Sequence, residues 1–384
     1  MWHSGPVRRR GGAVACTLAA LLVAACSGGA DDTLHWYVAT DDFGASTLAA
    51  TCSDVDVEVH ELPQGDADRA HTELVRRMQG DGASVDVLTL PGSAVPELAA
   101  AGLLHELPAS VTDGVLPAVA AQVTHEGDVY AAPWLFDPYL LWYRSVAAER
   151  AGIDMSAPVT WDSLISGAER LGVTIQITDD RNTGLAEWVT AMGGDDAAAG
   201  VVEYYSDSDV GPGPSETAVS AFAGSQGGFL IAPASTWSSG LLAPLGSEFG
   251  VAAYPIVDES TAGNNPGESE VLAISADSTR TEQARALLDC LTDDETVSAL
   301  VAATGHAPAR DALLGYAGVS GAVPTNAVLT EVLPTAVTVP VSEHWNAVRR
   351  AIDATWWPLD SVTLNATPQQ AAAAVEAAEQ GTLP

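Results

Sequence analysis

The sequence predicts an α/β protein organised on a largely parallel sheet with helices packed on both faces. Three observations carry that expectation. Between residues 34 and 101, short β-rich runs and amphipathic helical stretches alternate in β-α-β-α-β-α order, the signature of parallel strands joined by crossover helices. The chain has 384 residues, room for two lobes of ordinary size. Hydrophobic residues make up 47% and charged residues 17%, which can fill a large core and is unlike a disordered chain.

The elements follow in order. Leu34-His35-Trp36-Tyr37-Val38 reads as the first strand, followed by a polar turn over 39–44 and a helix carrying Leu48 and Cys52. Val55-Asp56-Val57-Glu58-Val59 alternates strictly and reads as the second strand. Residues 67–78 place Leu74, Val75 and Met78 on one helical face; 85–90 is the third strand and 95–101 a further helix. In such a sheet, ligands are expected beyond the strand C-termini. Residues 129–134 and 140–144 are two β-rich runs around a polar break. Residues 161–171 read as a helix capped by Thr160 or Asp162. The stretch 195–218 has little core signal. Residues 229–233, 251–256 and 271–275 read as strands, 261–268 as a loop, and 281–291, 295–303, 345–356 and 368–379 as helices.

Charge removes whole classes of function. The formal net charge is −35 at pH 7, and every basic residue is Arg; the chain contains no Lys. Such a chain is repelled by phosphate backbones and by anionic lipid surfaces, which excludes nucleic-acid partners. Lysine-dependent devices, such as Walker loops, Schiff bases and Ser-Lys dyads, are excluded with it. A neutral or cationic small molecule suits the chain better.

The first residues read as an export signal. Arg8, Arg9 and Arg10 form a basic start, and 13–25 is an uncharged run too short to span a bilayer. Leu22-Val23-Ala24-Ala25-Cys26 resembles a bacterial lipobox, which makes 1–25 a signal peptide, Cys26 the lipidated residue and 26–32 a tether. The alternative is an ordinary signal peptide with an incidental cysteine. The expected location is outside the cytoplasm, on the outer face of the cell membrane, held there by acyl chains. Cys52 and Cys290 then remain as an even pair in an oxidising compartment and are expected to bond; two buried thiols are the alternative.

The order of several motifs resembles the extracellular solute-binding proteins of ABC importers. Val85-Asp86-Val87-Leu88 with Pro96-Glu97-Leu98-Ala99-Ala100-Ala101-Gly102-Leu103-Leu104 is similar to one of their segments. Gly127-Asp128-Val129-Tyr130-Ala131-Ala132-Pro133, Leu140-Leu141-Trp142-Tyr143-Arg144, Val159-Thr160-Trp161-Asp162-Ser163-Leu164 and Gly305-His306-Ala307-Pro308-Ala309-Arg310 are similar to others. Within the family the chain most resembles actinobacterial trehalose-binding lipoproteins, which also carry cysteines at positions like Cys52 and Cys290. The resemblance implies a two-lobed periplasmic-binding-protein-like fold (type II) with discontinuous lobes joined by a three-segment hinge. The N-lobe would take 33–135 and 268–312, and the C-lobe 138–262 and 318–384. It implies a monomer that binds a carbohydrate, of trehalose or maltose type, and passes it to permease subunits.

Sugar recognition needs aromatic rings against the apolar face of a pyranose and carboxylates or amides against its hydroxyls. At the implied crossings the chain offers Asp41, Asp42 and Phe43; Trp134, Asp137 and Tyr139; Trp237; Glu268 and Glu270; and Arg310. Asp41 and Asp42 could instead cap the first helix, and Arg310 could pair with an N-lobe carboxylate. Three segments depart from the trehalose binders. Leu135-Phe136-Asp137-Pro138-Tyr139 stands where they have an Asn-centred segment, Gly267-Glu268-Ser269-Glu270 replaces a Gly- and Asn-rich one, and Pro91 replaces an Asp. These changes leave open a cationic or amino-bearing solute. Enzyme readings have weaker footing. Ala223-Gly224-Ser225-Gln226-Gly227 approaches a nucleophile elbow, and the acid pairs Asp179-Asp180, Asp195-Asp196 and Asp293-Asp294 could in principle serve glycoside hydrolysis. The histidines are dispersed and no run has zinc or calcium spacing, so no metal or cofactor is expected.

Overall fold

Strand β1 (Leu34–Val38) lies between β2 (Val57–Glu61) and β3 (Val87–Pro91), and both pairings are parallel. Parallel neighbours need long connections, supplied here by helices α1 (Ala45–Cys52) and α2 (Ala67–Met78). The computed structural model describes residues 33–38, 43–63, 67–80, 84–178, 212–213, 215–224, 227–242, 245–258, 264–356, 361–363 and 366–382. The export signal with Cys26, Asp41 and Asp42, most of 195–218, Ser225 and the first two acid pairs lie outside the described residues.

Beyond α3 (Val95–Ala100) and α4 (Pro117–Gln122), a hairpin of β4 (Thr124–His125) and β5 (Asp128–Val129) leads into β6 (Ala132–Arg144). There follow α5 (Ser145–Ala151), α6 (Trp161–Leu171), β7 (Thr174–Thr178), β8 (Pro212–Gly213), β9 (Gly227–Pro233) and β10 (Phe249–Ala252). Then come β11 (Asn265–Ile274), β12 (Ala307–Pro308) and β13 (Ala336–Val337), among further helices. The strands run in the order β2-β1-β3-β11-β6-β9-β7-β8, with β10 and β12 on β6 and β13 on β11.

The sheet is mixed rather than largely parallel, since β11 runs antiparallel to β3 and β6, and β6 antiparallel to β9; two further expectations change in the middle of this path. The polar break between 129–134 and 140–144 is no break, because β6 is one strand of 13 residues. Its residues from Ala132 to Pro138 pair with β11, and those from Tyr139 to Tyr143 pair with β9. Asp137-Pro138 marks the point where one partner gives way to the next. A proline without an N–H is tolerated at the end of a ladder. The loop expected over 261–268 is likewise strand from Asn265 onward. Gly267 faces Pro138, and a Cβ at Gly267 would stand 2.5 Å from the Phe136 ring. Main-chain pairing on β6 and β13 outweighs the turn-like composition of Asn265-Pro266-Gly267.

Most helices fall where the apolar period places them. Helices α2 and α6, together with Thr281–Leu291 and Trp345–Trp356, have the expected bounds. Thr160, not Asp162, caps α6: its side chain accepts the Ser163 N–H at 3.1 Å. The Ala-rich helices α4 and α5 were not expected; each is only two turns long and leaves few periodic positions to read.

The core divides into two apolar clusters. One surrounds β1, β3, β11 and the first part of β6, and includes Trp36, Trp134 and Phe136. The other surrounds β7 and α6, and includes Trp161, Phe229, Trp345 and Trp356. Each buried side chain of this size contributes about 1.5–3 kcal/mol by leaving water. Among the buried indoles, Trp36 donates to Thr89 Oγ1 at 2.9 Å and Trp142 to the Ala232 carbonyl at 3.2 Å. Cys52 at the end of α1 is bonded to Cys290 in helix Thr281–Leu291, with Cα atoms 5.5 Å apart. No described helix is long and apolar enough to cross a membrane.

Candidate functional site

The site is built where β6 changes partners. Residues opposite one another on paired strands share a face, and alternate residues along a strand do too. Asp137 stands opposite Glu268, and Leu135 opposite Glu270. Asp137, Tyr139, Glu268 and Glu270 therefore share one face of the crossing. The opposite face carries Phe136 and Ser269 into the core, where Ser269 Oγ donates to Gln122 Oε1 at 2.6 Å.

Loops from both sides of the crossing close on Asp137. Its carboxylate accepts the Ser235 N–H at 3.1 Å and the Ser235 hydroxyl. Ser235 lies in a short 3-10 helix, Ala234–Ser239, directly after β9. From the other side, His306 Nε2 lies 3.7 Å from Asp137 Oδ2; this residue follows helix Asp294–Thr304 and precedes β12. Trp237, on the same turn as Ser235, packs its indole over Gly305. A Cβ at Gly305 would lie 2.5 Å from Trp237 Nε1, and its φ of 81° is one that favours glycine. Trp237 Nε1 is buried and has no hydrogen-bond partner among the described residues. An unsatisfied buried donor costs about 1–3 kcal/mol, so this indole edge has an interaction to gain.

The set is suited to holding a polar guest: carboxylates accept hydroxyl or ammonium protons, and two aromatic side chains flank them. It differs from a hydrolytic triad. There an imidazole stands between serine and carboxylate, whereas here Ser235 gives its proton directly to Asp137.

Comparison with known proteins places the fold. Residues 41–317 match the family described as bacterial extracellular solute-binding protein. The chain belongs to that family. The fold of this solute-binding protein is similar to maltose-bound MalE3 of T. maritima, at TM-score 0.72 and 20% identity over 90% of this chain and 99% of that one. The GacH receptor of Streptomyces glaucescens, known unliganded and with acarbose, matches at TM-score 0.74 and 18% identity, covering 91% and 98%. UgpB of Mycobacterium tuberculosis, in complex with glycerophosphocholine, matches at 0.72 and 17%, covering 90% and 98%. At these identities the likeness establishes the two-lobed fold. The family consists of binding proteins rather than enzymes, and its members work outside the cytoplasm.

In this solute-binding protein three expected ligand contacts sit elsewhere. Trp134 is 1% exposed; its indole donates to the Leu291 carbonyl at 2.9 Å and meets Phe43 edge-on at 4.8 Å. Both rings are core residues, because β6 turns Trp134 inward beside Trp36. Arg310 pairs with Asp294 at 2.7 Å and donates to the Thr292 carbonyl, bracing the start of a helix, the alternative role the sequence allows. Glu270 is buried within the site's face. Ser235 and His306 are the site residues that sequence reasoning missed. His306 lies inside a motif segment and Ser235 just after a strand, but only the fold turns them toward Asp137.

The expectation of dispersed histidines also needs correction. The register of β1 on β2 brings His35, Glu58 and His60 together, with one ligand atom from each lying within 4.8 Å of the others. Sequence spacing alone hid this, because the three residues meet only through parallel pairing.

Proposed function

We propose that the chain is the lipid-anchored receptor of an ABC importer, which binds a carbohydrate between its lobes and delivers it unaltered to the permease. The observation that carries this reading is the shared face of Asp137, Tyr139 and Glu268 at the strand crossing, with Asp137 held by Ser235 from the segment that also carries Trp237. In the proposal, Asp137, Glu268 and Glu270 take sugar hydroxyls, and Tyr139 and Trp237 line the ring. Residues 33–135 and 268–312 act as one lobe, and 138–262 and 318–384 as the other. A guest that contacts both favours the closed form and shifts the population toward the state that a permease reads. Residues 1–25 direct export, and Cys26 carries the acyl chains; a Cys26→Ala chain is expected in the medium rather than in the membrane fraction.

Calorimetry against maltose, trehalose, spermidine and glycerophosphocholine tests the ligand class. A disaccharide is expected to bind, and Trp237→Ala to weaken it about tenfold or more. An unchanged dissociation constant removes Trp237 from the site. A second reading, a cationic or amino-bearing solute, is favoured by three carboxylates sharing one face. Heat from spermidine or glycerophosphocholine, with none from any sugar, selects it. No turnover of glycosidic or ester substrates is expected.

A further inference from the structure

We propose that His35, Glu58 and His60 form a binding site for one late transition-metal dication, Zn2+ or Cu2+, at the edge of the sheet. The site is separate from the crossing and does not rest on the ligand reading above. Strands β1 and β2 run parallel with His35 opposite Glu58 and Tyr37 opposite His60, so the alternation of each strand points His35, Glu58 and His60 to one face.

The donor atoms form a small triangle. His35 Nδ1 and His60 Nε2 are 2.9 Å apart, Glu58 Oε2 is 3.7 Å from the first, and Glu58 Oε1 is 3.9 Å from the second. An ion bound at about 2.0–2.1 Å in tetrahedral geometry separates its ligands by roughly 3.3 Å, between the short and long edges of this triangle. Coordination therefore asks the imidazoles to part by a few tenths of an ångström and the carboxylate to bring one oxygen, already within 4.8 Å of both nitrogens, in toward the ion. Without an ion, one proton lies between the two nitrogens; when the ion binds, the ring that held it carries its proton on the nitrogen facing away, so both imidazoles coordinate in the neutral form. Two imidazoles and one carboxylate favour zinc or copper over magnesium or calcium.

The surroundings hold the ligands ready. The His35 N–H is fixed on the buried Asp86 carboxylate at 3.0 Å, which sets the strand beneath its ring. Tyr37 stacks on the His60 ring at 4.5 Å, and Arg77 in turn donates to the Tyr37 hydroxyl. The imidazole side chains are 19% and 25% exposed and Glu58 is 61% exposed, so an ion can enter and keep a water ligand. As β2 is the outermost strand of its side, a bound ion would clip the sheet edge to β1.

The test uses the purified chain stripped with EDTA, titrated with zinc chloride and with copper(II) chloride in calorimetry and followed by thermal melting. One site per chain is expected, with a melting temperature raised by the ion. His60→Ala and His35→Ala are expected to weaken it about tenfold or more, and copper resonance spectra to carry the splitting of two imidazole nitrogens. Glu58→Gln, at an exposed position, keeps the EDTA melting curve of the parent while weakening zinc several-fold. The proposal is overturned if these variants bind as the parent does, if millimolar calcium removes the zinc heat, or if neither metal shifts the melt.

Discussion

Two aspartates of this sheet are handled in opposite ways. Asp86, at the foot of β3, has a side chain that is 1% exposed. Ser278 donates to it at 2.6 Å, the His35 N–H at 3.0 Å, and the Arg280 guanidinium lies at 3.4 Å. These partners all belong to the cluster around β1, β3 and β11. Asp137 is 14% exposed, and its partners Ser235 and His306 arrive from opposite sides of the strand crossing. A buried charge fully partnered within one body serves that body's integrity. A carboxylate whose partners come from two sides is sensitive to how those sides sit. In the proposed receptor, the difference separates groups that hold a lobe together from groups that feel its closure.

The largest effect should come from the first class. Replacing Cys52 and Cys290 together by Ser removes a closure across a sequence separation of 238, with a loss of up to about 5 kcal/mol in the chain-entropy account. Urea melts should register that loss while the ligand dissociation constant stays within about twofold. A large change in affinity would mean that the staple and the crossing are not independent. Trp134→Ala should cost about 3–5 kcal/mol through its cavity, again with little effect on affinity, the reverse of Trp237→Ala.

The contrast between those two tryptophans also marks how far the sequence could be read. Both are tryptophans that the family resemblance places at crossings. One is turned inward by the alternation of a strand that the local composition disguised as broken, and the other is held over Gly305 by a turn after β9. The parallel β1-β2-β3 unit and the long amphipathic helices were legible because each repeats its signal over several turns or alternations. Asn265-Pro266-Gly267 was not, since its strand state comes from β6 and β13 rather than from its own residues. The convergence of Ser235 and His306 on Asp137 depends on three distant segments, which no local period encodes.

The aspartates themselves give the next test. Asp86→Asn leaves Arg280 beside a neutral amide in a buried place and should cost about 3 kcal/mol, with affinity unchanged. Asp137→Asn should cost nearer 1 kcal/mol, since its site is less buried, yet weaken the ligand about tenfold. Should Asp137→Asn disturb only the melt and Asp86→Asn only the affinity, the distinction between the two networks collapses.

The smallest effect belongs to a carboxylate outside both networks. On α2, Glu73 accepts from Arg76 at 2.8 and 2.9 Å and from Arg77 at 2.6 Å, and these hydrogen bonds, Arg76's foremost, hold its carboxyl down at about 2, from an ordinary value of 4.5. A depressed acid stabilises the fold fully above its unfolded value and loses that contribution as pH falls through the folded one. Glu73→Gln should therefore lower the melting temperature slightly at pH 7, with the deficit shrinking below pH 4.5 and gone near pH 2. Added salt should shrink it too, because the fork lies at the surface and is screened. Ligand affinity should not move at any of these conditions, since both arginines that engage Glu73 lie on its own helix and neither reaches the crossing.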